Sequence, residues 1–308
     1  MSNITSIEKQ CQFLEKYCDG ILGVSAYHIE SGQTISYKEH DKFLMCSTYK
    51  LPMAIYLLYQ VEQGKINLNE LYTVTEYDLR PGAVFTLNQF DCSSGFPISI
   101  KNLMQLMMQE SCNTSTDIIL RLIGGPASVT AYLRKIGIED MRIDRYILEA
   151  LAESDGIKNI PKDHRCTLAH YKELEHAVPK DQLAQAKRDF IAQKEDRATP
   201  QAMTQLLTKL FNHNLINADY TSLLLNIMRR NKLYPHRLMG LLPPQTPVAH
   251  KTGTISGHTN DAGIITLPHN LGHIAITTFI KNAHQEMTVC ERVLAEVGRS
   301  IYDYFLLN

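Results

Sequence analysis

Ser47-Thr48-Tyr49-Lys50 runs straight into an apolar stretch, LPMAIYLLYQV. That order predicts Ser47 at a helix N-terminus with Lys50 one turn on and on the same face. A serine hydroxyl is a weak nucleophile until a base takes its proton. Lysine can be that base only if its pKa falls, and a helix N-terminus and a second nearby cation both push it down. The plain alternative is coincidence, because the spacing SxxK is common in chains of this length.

Two further groups carry related chemistry. Ser111-Cys112-Asn113 lies between the apolar stretches IKNLMQLMMQE and IILRLI. Its serine can relay a proton to a leaving group, and its amide can fix a lysine or a substrate. Read alone, the same residues are a helix N-cap, a position that Ser and Asn favour. Lys251-Thr252-Gly253-Thr254 reads as strand, led in by Val248-Ala249-His250. A glycine inside a strand often marks the close approach of another backbone or a ligand. The alternative there is an ordinary edge strand.

These groups need a scaffold. Ile4, Ile7, Cys11, Leu14 and Cys18 recur at steps of three and four, one face of an amphipathic helix, with Thr5 and Glu8 spaced as a capping box. Segments 23–29 and 33–37 read as strands joined by Ser31-Gly32. From about Ser47 to Asn231 the pattern is mostly helical, with one helix opening at Thr199-Pro200. Strand character returns at 247–254, 263–267 and 273–280. A last helix carries Val289, Val293, Val297 and Ile301 at steps of four. The predicted fold is α/β: an antiparallel sheet assembled from both chain ends and flanked by helices, plus an inserted all-α domain. The expected division is 1–46 with 233–308 as the α/β domain and 47–232 as the all-α domain.

At 308 residues the chain can bury a full core without disulfides or metals. Lys+Arg 31 against Asp+Glu 32 argues against a nucleic-acid footprint, and no apolar run approaches a membrane span. Seven cysteines without a CxxC pair read as reduced thiols in a core. The start of the sequence shows no basic stretch followed by an apolar one. The expectation is therefore the cytosol for the chain as it stands, and the periplasm or secretion if it is a trimmed mature form.

Together and in this order, the three groups resemble the SxxK, SxN and KTG set of the class A serine β-lactamases and related penicillin-binding enzymes. The resemblance extends over nearly the whole chain. Ile123-Gly124-Gly125-Pro126 resembles the IGGP after the second motif. Arg142-Ile143-Asp144-Arg145 resembles the RLDR that opens the Ω loop. Asp196, Thr199-Pro200 and Met203 resemble the D…TP..M that closes it, and Gly263-Ile264-Ile265-Thr266-Leu267-Pro268 fits the strand after KTG. The resemblance implies Ser47 as the acylated nucleophile, Lys50 as base or proton relay, and Ser111 as relay to the lactam nitrogen. Asn113 would contact substrate and Lys50. Lys251 and Thr252, in the motif with Gly253, would hold a substrate carboxylate. The N–H groups of Ser47 and Thr254 would form an oxyanion hole. Relatives add an arginine behind the KTG strand, and Arg237 stands where some place it, although a surface role suits it equally.

The chain also departs from the pattern. Hydrolytic relatives carry a water-activating glutamate two residues after RLDR, and Ile147 stands there. Glu149 follows two residues later, and Glu149-Ala150, Gly156 and Asn159 resemble the EA…G..N context of some distant relatives. Glu149 is thus the candidate base, against a solvated helix face shared with Glu153. The Ω loop, 145–196, is several times the usual length, as functional lids often are. Its His164, Cys166, His170 and His176 invite a metal reading, but only Cys166 and His170 have helical spacing and no carboxylate completes a site, so no metal or cofactor is expected.

The leading expectation is a monomeric serine hydrolase acting on a small-molecule β-lactam or related amide, with neither nucleic acid nor membrane as partner. Deacylation is expected to be slow if Glu149 does not serve. Rival readings are a serine amidase of the glutaminase or D,D-peptidase kind, and a penicillin-binding sensor that does not hydrolyse.

Overall fold

The structure, a computed structural model, describes residues 2–82, 87–161 and 164–308, without the side chains of residues 2–5. Helix α1 (Ser2–Tyr17) precedes strands β1 (Ile21–His28), β2 (Thr34–Tyr37) and β3 (Phe43–Leu44). Helix α2 (Lys50–Glu62) is followed by β4 (Leu71–Val74), β5 (Phe96–Ser99), α3 (Ile100–Gln109), α4 (Asn113–Leu122) and α5 (Pro126–Lys135). The Ω-loop region holds α6 (Ile147–Ser154), α7 (Leu168–His176) and α8 (Lys180–Ala192) and ends at β6 (Arg197–Ala198). Then come α9 (Pro200–Phe211), α10 (Ala218–Arg229), β7 (Val248–Ile255), β8 (His258–Thr266), β9 (His273–Lys281) and α11 (Met287–Leu307).

The sheet runs β2-β1-β9-β8-β7 with every pairing antiparallel, so both chain ends build it, as the strand pattern predicts. Its middle strands are buried on both faces because helices cover both. On one face α1 brings Ile7, Cys11 and Leu14, with Cys18 just beyond its end, against Val293, Val297 and Ile301 of α11. Each such buried aliphatic side chain is worth about 1.5–3 kcal/mol. On the other face the helical section, α9 foremost, packs through Met203, Leu206 and Leu207 onto Ala262, Ile264 and Phe279. The side chains of Ile4 and Thr5 lie outside those described, and the expected Thr5–Glu8 capping box does not open the helix, because α1 already begins at Ser2.

Local signals explain several boundaries. Thr199 caps α9 by accepting the Ala202 N–H at 3.1 Å, with Pro200 in the first turn. The strand expected at 263–267 instead begins at His258, because polar residues that read as loop are buried and partnered. Asn260 donates to the Leu44 and Met45 carbonyls at 2.8 and 3.1 Å, and His250 meets Asp261 at 2.9 Å. All seven cysteines are free thiols. Among the described residues, no helix is long and apolar enough to cross a membrane.

Candidate active site

Ser47 lies in a 3₁₀ turn, Cys46–Tyr49, that runs into α2 at Lys50, so it stands just ahead of the α-helix rather than opening it. The turn is held from three sides. Thr48 donates its hydroxyl to the Met45 carbonyl at 2.7 Å, the Met45 N–H reaches the Asp196 carbonyl at 3.0 Å, and Asn260 grips the carbonyls of Leu44 and Met45. Cys46 takes a left-handed φ of 50°, a conformation a non-glycine residue keeps only when its surroundings impose it. Strand β7 presses on this turn. A methyl group at Gly253 would sit 2.8 Å from the Ser47 nitrogen and 2.8 Å from the Met45 carbonyl oxygen. The glycine is therefore there for close approach, which brings the β7 backbone beside the Ser47 N–H.

Lys50 is fully buried and directs its amine to the Ser111 hydroxyl at 3.0 Å, the Ser111 carbonyl at 2.7 Å and the Asn113 amide oxygen at 2.9 Å. Lys251, also fully buried, reaches the same Ser111 hydroxyl at 3.1 Å and the Thr252 carbonyl at 2.9 Å. Burial disfavours the charged form of each. It brings the Lys50 pKa down to about 7, and it pushes Lys251 well below the ordinary lysine range, with the Lys50 charge adding to the effect. A neutral amine next to a hydroxyl is a proton acceptor at ordinary pH, which is what SxxK chemistry requires.

Ser111 is held with φ at 54°, and the N-cap of α4 is its neighbour Cys112, whose sulfur accepts the Ser115 N–H at 3.4 Å. The serine is thus kept out of the cap and left facing the two lysines. Asn113 uses its NH₂ on the Pro81 carbonyl at 2.8 Å, which fixes the amide so that its oxygen faces Lys50.

Arg237 is not a surface residue. It is fully buried behind β7, donating to the Gly253 carbonyl at 3.0 Å, the Asn260 carbonyl at 3.1 Å and the Thr254 hydroxyl at 2.6 Å, with Glu291 at 3.2 Å as its ion-pair partner. Thr252 is buried, and Thr254 lines the cavity beside Ser47.

That cavity, about 150 Å³, is lined by Ser47, Tyr49 and Asn113 together with Ile147, Leu151 and Phe190 of the Ω-loop region. Among the described residues the carboxylate on its wall is Asp196, which is already paired with Arg145 at 2.7 Å. Glu149, the candidate base, does not line this cavity. One of its oxygens accepts the Tyr146 N–H at 2.8 Å, closing a capping box on α6, and the other meets His164 at 3.1 Å. The physical reason is position: the third residue of a helix is where a carboxylate satisfies the free N–H groups of the first turn. The rival reading of Glu149 and Glu153 as a shared solvated face is also incomplete, since Glu153 contacts Arg145.

The ends of the insertion are joined as the sequence suggests. Besides the Arg145–Asp196 pair, the Asp144 N–H donates to Asp196 and the Asp196 N–H to Asp144, both at 2.8 Å. Ile147 is aimed by a residue the motifs do not announce, Asp117 on α4. Its carboxylate accepts the Ile147 N–H at 2.6 Å and the Leu148 N–H at 3.2 Å, and it pairs with fully buried Arg80 at 2.7 Å. The available signal is its place four residues after Asn113, hence on the same helical face. Asn260 gives no such signal. His164 is spent on Glu149 and Cys166 is buried in the insertion's own small core. Among the described residues no group of three or more His, Cys, Asp or Glu is placed to hold a metal ion.

A sequence model of the beta-lactamase enzyme family matches residues 6–305. The chain is 26% identical to beta-lactamase VEB-1 of Pseudomonas aeruginosa, an alignment covering 92% of this chain and 85% of that one. It is 26% identical to beta-lactamase SME-1 of Serratia marcescens, covering 94% and 86%. Among solved structures, a beta-lactamase from Chitinophaga pinensis superposes with a TM-score of 0.78 at 26% identity, covering 97% of this chain and 99% of that one. The TLA-3 extended-spectrum beta-lactamase gives 0.78 at 25% identity, covering 98% and 99%.

Proposed function

This chain belongs to the beta-lactamase enzyme family, and from that premise we propose that it is a class A serine hydrolase whose Ser47 is acylated by a β-lactam. The neutral Lys50 amine takes the Ser47 hydroxyl proton as the oxygen attacks the lactam carbonyl. The N–H groups of Ser47 and Thr254 receive the developing oxyanion, each such donor being worth about 2.7–4 kcal/mol of barrier. Collapse breaks the lactam C–N bond. The Ser111 hydroxyl gives its proton to the departing nitrogen and is reloaded from Lys50. Lys251 and Thr252, on a strand braced by Arg237, hold the substrate carboxylate, and Asn113 keeps Lys50 in place. Water then hydrolyses the Ser47 ester.

The observation that carries this reading is the convergence of Lys50 and Lys251 on the Ser111 hydroxyl behind the Ser47 turn. The last step is the slow one in this proposal. Hydrolysis needs a base at the ester's water, and the Ω-loop residues lining the Ser47 cavity include Ile147, Leu151 and Phe190, with Asp196 already paired to Arg145. That same lining favours a second reading, a sensor that is acylated and stays so.

Intact mass after incubation with benzylpenicillin tests the proposal. Ring opening loses no atoms, so the wild type should gain the full mass of the lactam while Ser47→Ala gains nothing. Absence of an adduct on a wild-type protein that also turns over no lactam would refute it. An adduct that decays on standing marks the hydrolase, and one that persists for days marks the sensor.

A further inference from the structure

Away from Ser47, the C-terminal end of α8 and strand β6 border an open groove of about 690 Å³. Its lining carries seven lysine or arginine side chains and two carboxylates, Glu139 and Asp140, and Asp41 and Asp144 pair with two more of the cations from just outside it, which leaves three cations over on a chain whose formal charge is −1. The groove's sign is therefore a local arrangement and not a reflection of a basic protein. Four of its seven cations already face a carboxylate, among them Lys42 with Asp140 at 2.9 Å and Arg142 with Asp144 at 2.5 Å.

Arg188, Lys194 and Arg197 do not pair with a carboxylate among the described residues. Arg188 donates to the Gln185 side-chain oxygen at 2.6 Å. Arg197 is half-buried and donates to the Gln193 and Ile191 carbonyls at 2.6 and 2.5 Å, which caps α8. A helix C-terminus offers about half a negative charge, so that capping answers only part of the guanidinium. Burial makes the remaining charge costly, and the nearby Glu195 carboxylate, which is not in ion-pair contact, offsets that only in part.

We propose that this groove binds a small polyanion of the pyrophosphate or triphosphate class, bridging Arg188 and Lys194 to Arg197. Guanidinium and ammonium groups gathered in a concavity suit phosphate oxygens, with Arg donating in pairs and Lys acting as a point charge. The volume lies in the range of small-molecule sites and leaves room beyond a single phosphate. Because the three cations come from α8, from the α8–β6 turn and from β6, a bound anion ties the end of the insertion to the strand that leads into α9.

Titration calorimetry at low ionic strength with phosphate, pyrophosphate, tripolyphosphate and ATP tests this on the intact chain. Saturable one-to-one binding is expected, tighter for tripolyphosphate than for phosphate. Comparing ATP with tripolyphosphate tells a nucleotide's phosphate tail from free polyphosphate. The doubly charge-reversed variant Arg188→Glu/Lys194→Glu, at exposed or half-exposed positions, should weaken binding at least ~10-fold while its Tm without ligand stays near wild type. Hydrogen exchange at 188–197 should slow with ligand present. No saturable binding, or binding that charge reversal leaves unchanged, would overturn the proposal. So would protection that appears elsewhere on the chain but not at 188–197.

Discussion

Lys50 and Lys251 approach one oxygen, the Ser111 hydroxyl, at 3.0 and 3.1 Å, and both are fully buried. Two ammonium ions so placed repel each other and lack water to spread their charge. The arrangement therefore favours a state with at least one neutral amine, and it puts the Ser111 hydroxyl within hydrogen-bond reach of both.

The pH dependence of acylation follows from the Lys50 pKa of about 7. The amine accepts the Ser47 proton only when neutral, so the acylation rate should rise with pH and level off above about 7. Lys50→Ala should slow acylation by at least ~10²-fold, the usual size of a lost general base. Lys50→Arg should fare no better, because a guanidinium keeps its proton. Stopped-flow labelling between pH 5 and 9 is the measurement, and a flat profile would point to another base.

Gly253→Ala should damage the site without unfolding the chain. The new methyl group meets the Ser47 nitrogen and the Met45 carbonyl at 2.8 Å, and these are backbone atoms with little room to retreat. Overpacking of this kind typically costs about 1–3 kcal/mol. We expect a lowered Tm, a folded circular-dichroism spectrum and penicillin labelling slowed at least ~10-fold. Wild-type labelling would mean that β7 and the Ser47 turn can separate at no cost.

The three motifs were legible because each is local: Ser47 with Lys50, Ser111 with Asn113, and Lys251 to Thr254 are neighbours in the chain. The strand–helix order was legible for the same reason, since Val293, Val297 and Ile301 advertise a buried face whatever lies opposite. What sequence could not settle depends on distant partners. Arg237 is committed to β7 only because Gly253, Asn260 and Glu291, from two strands and a helix, fold around it. Asp117 anchors the start of α6 only because Arg80, 37 positions earlier, pairs with it while the Ile147 N–H donates to it from the Ω loop. Where the Glu149 carboxylate points was not legible either, because register alone does not say which way a first-turn carboxylate bends, and here the Tyr146 N–H claims it.

The Arg145–Asp196 pair should govern the insertion as a unit. Both side chains are largely buried, and Asp196 also receives the Asp144 N–H. Breaking a buried pair typically costs about 3–5 kcal/mol, and here Arg145 would keep Glu153 as its remaining carboxylate, which puts the expected cost at the lower end. Asp196→Ala should lower Tm by several degrees and open the segment between α6 and α8 to limited proteolysis, while β1 and β9 keep their hydrogen-exchange protection. A cleavage pattern and Tm like wild type would show that the loop ends are held without this pair.

Deacylation separates the apolar wall from every other feature of the site. Ester hydrolysis without a positioned base loses about 10²–10⁴-fold, and Ile147, aimed at the Ser47 cavity by Asp117, cannot take a proton. Ile147→Glu should therefore shorten the life of the penicilloyl adduct at least ~10-fold while acylation stays within a few-fold of wild type. Glu149→Gln should leave the adduct's life unchanged, since that carboxylate caps α6 and faces His164, and Glu149→Ala should cost about 1 kcal/mol of stability as a lost cap. Adduct decay followed by intact mass distinguishes the cases. A wild-type adduct lasting less than a second would mean that another acid reaches the ester water. A Glu149→Gln adduct that outlives wild type more than ~10-fold would identify Glu149 as that acid and require α6 to unwind at its first turn during turnover.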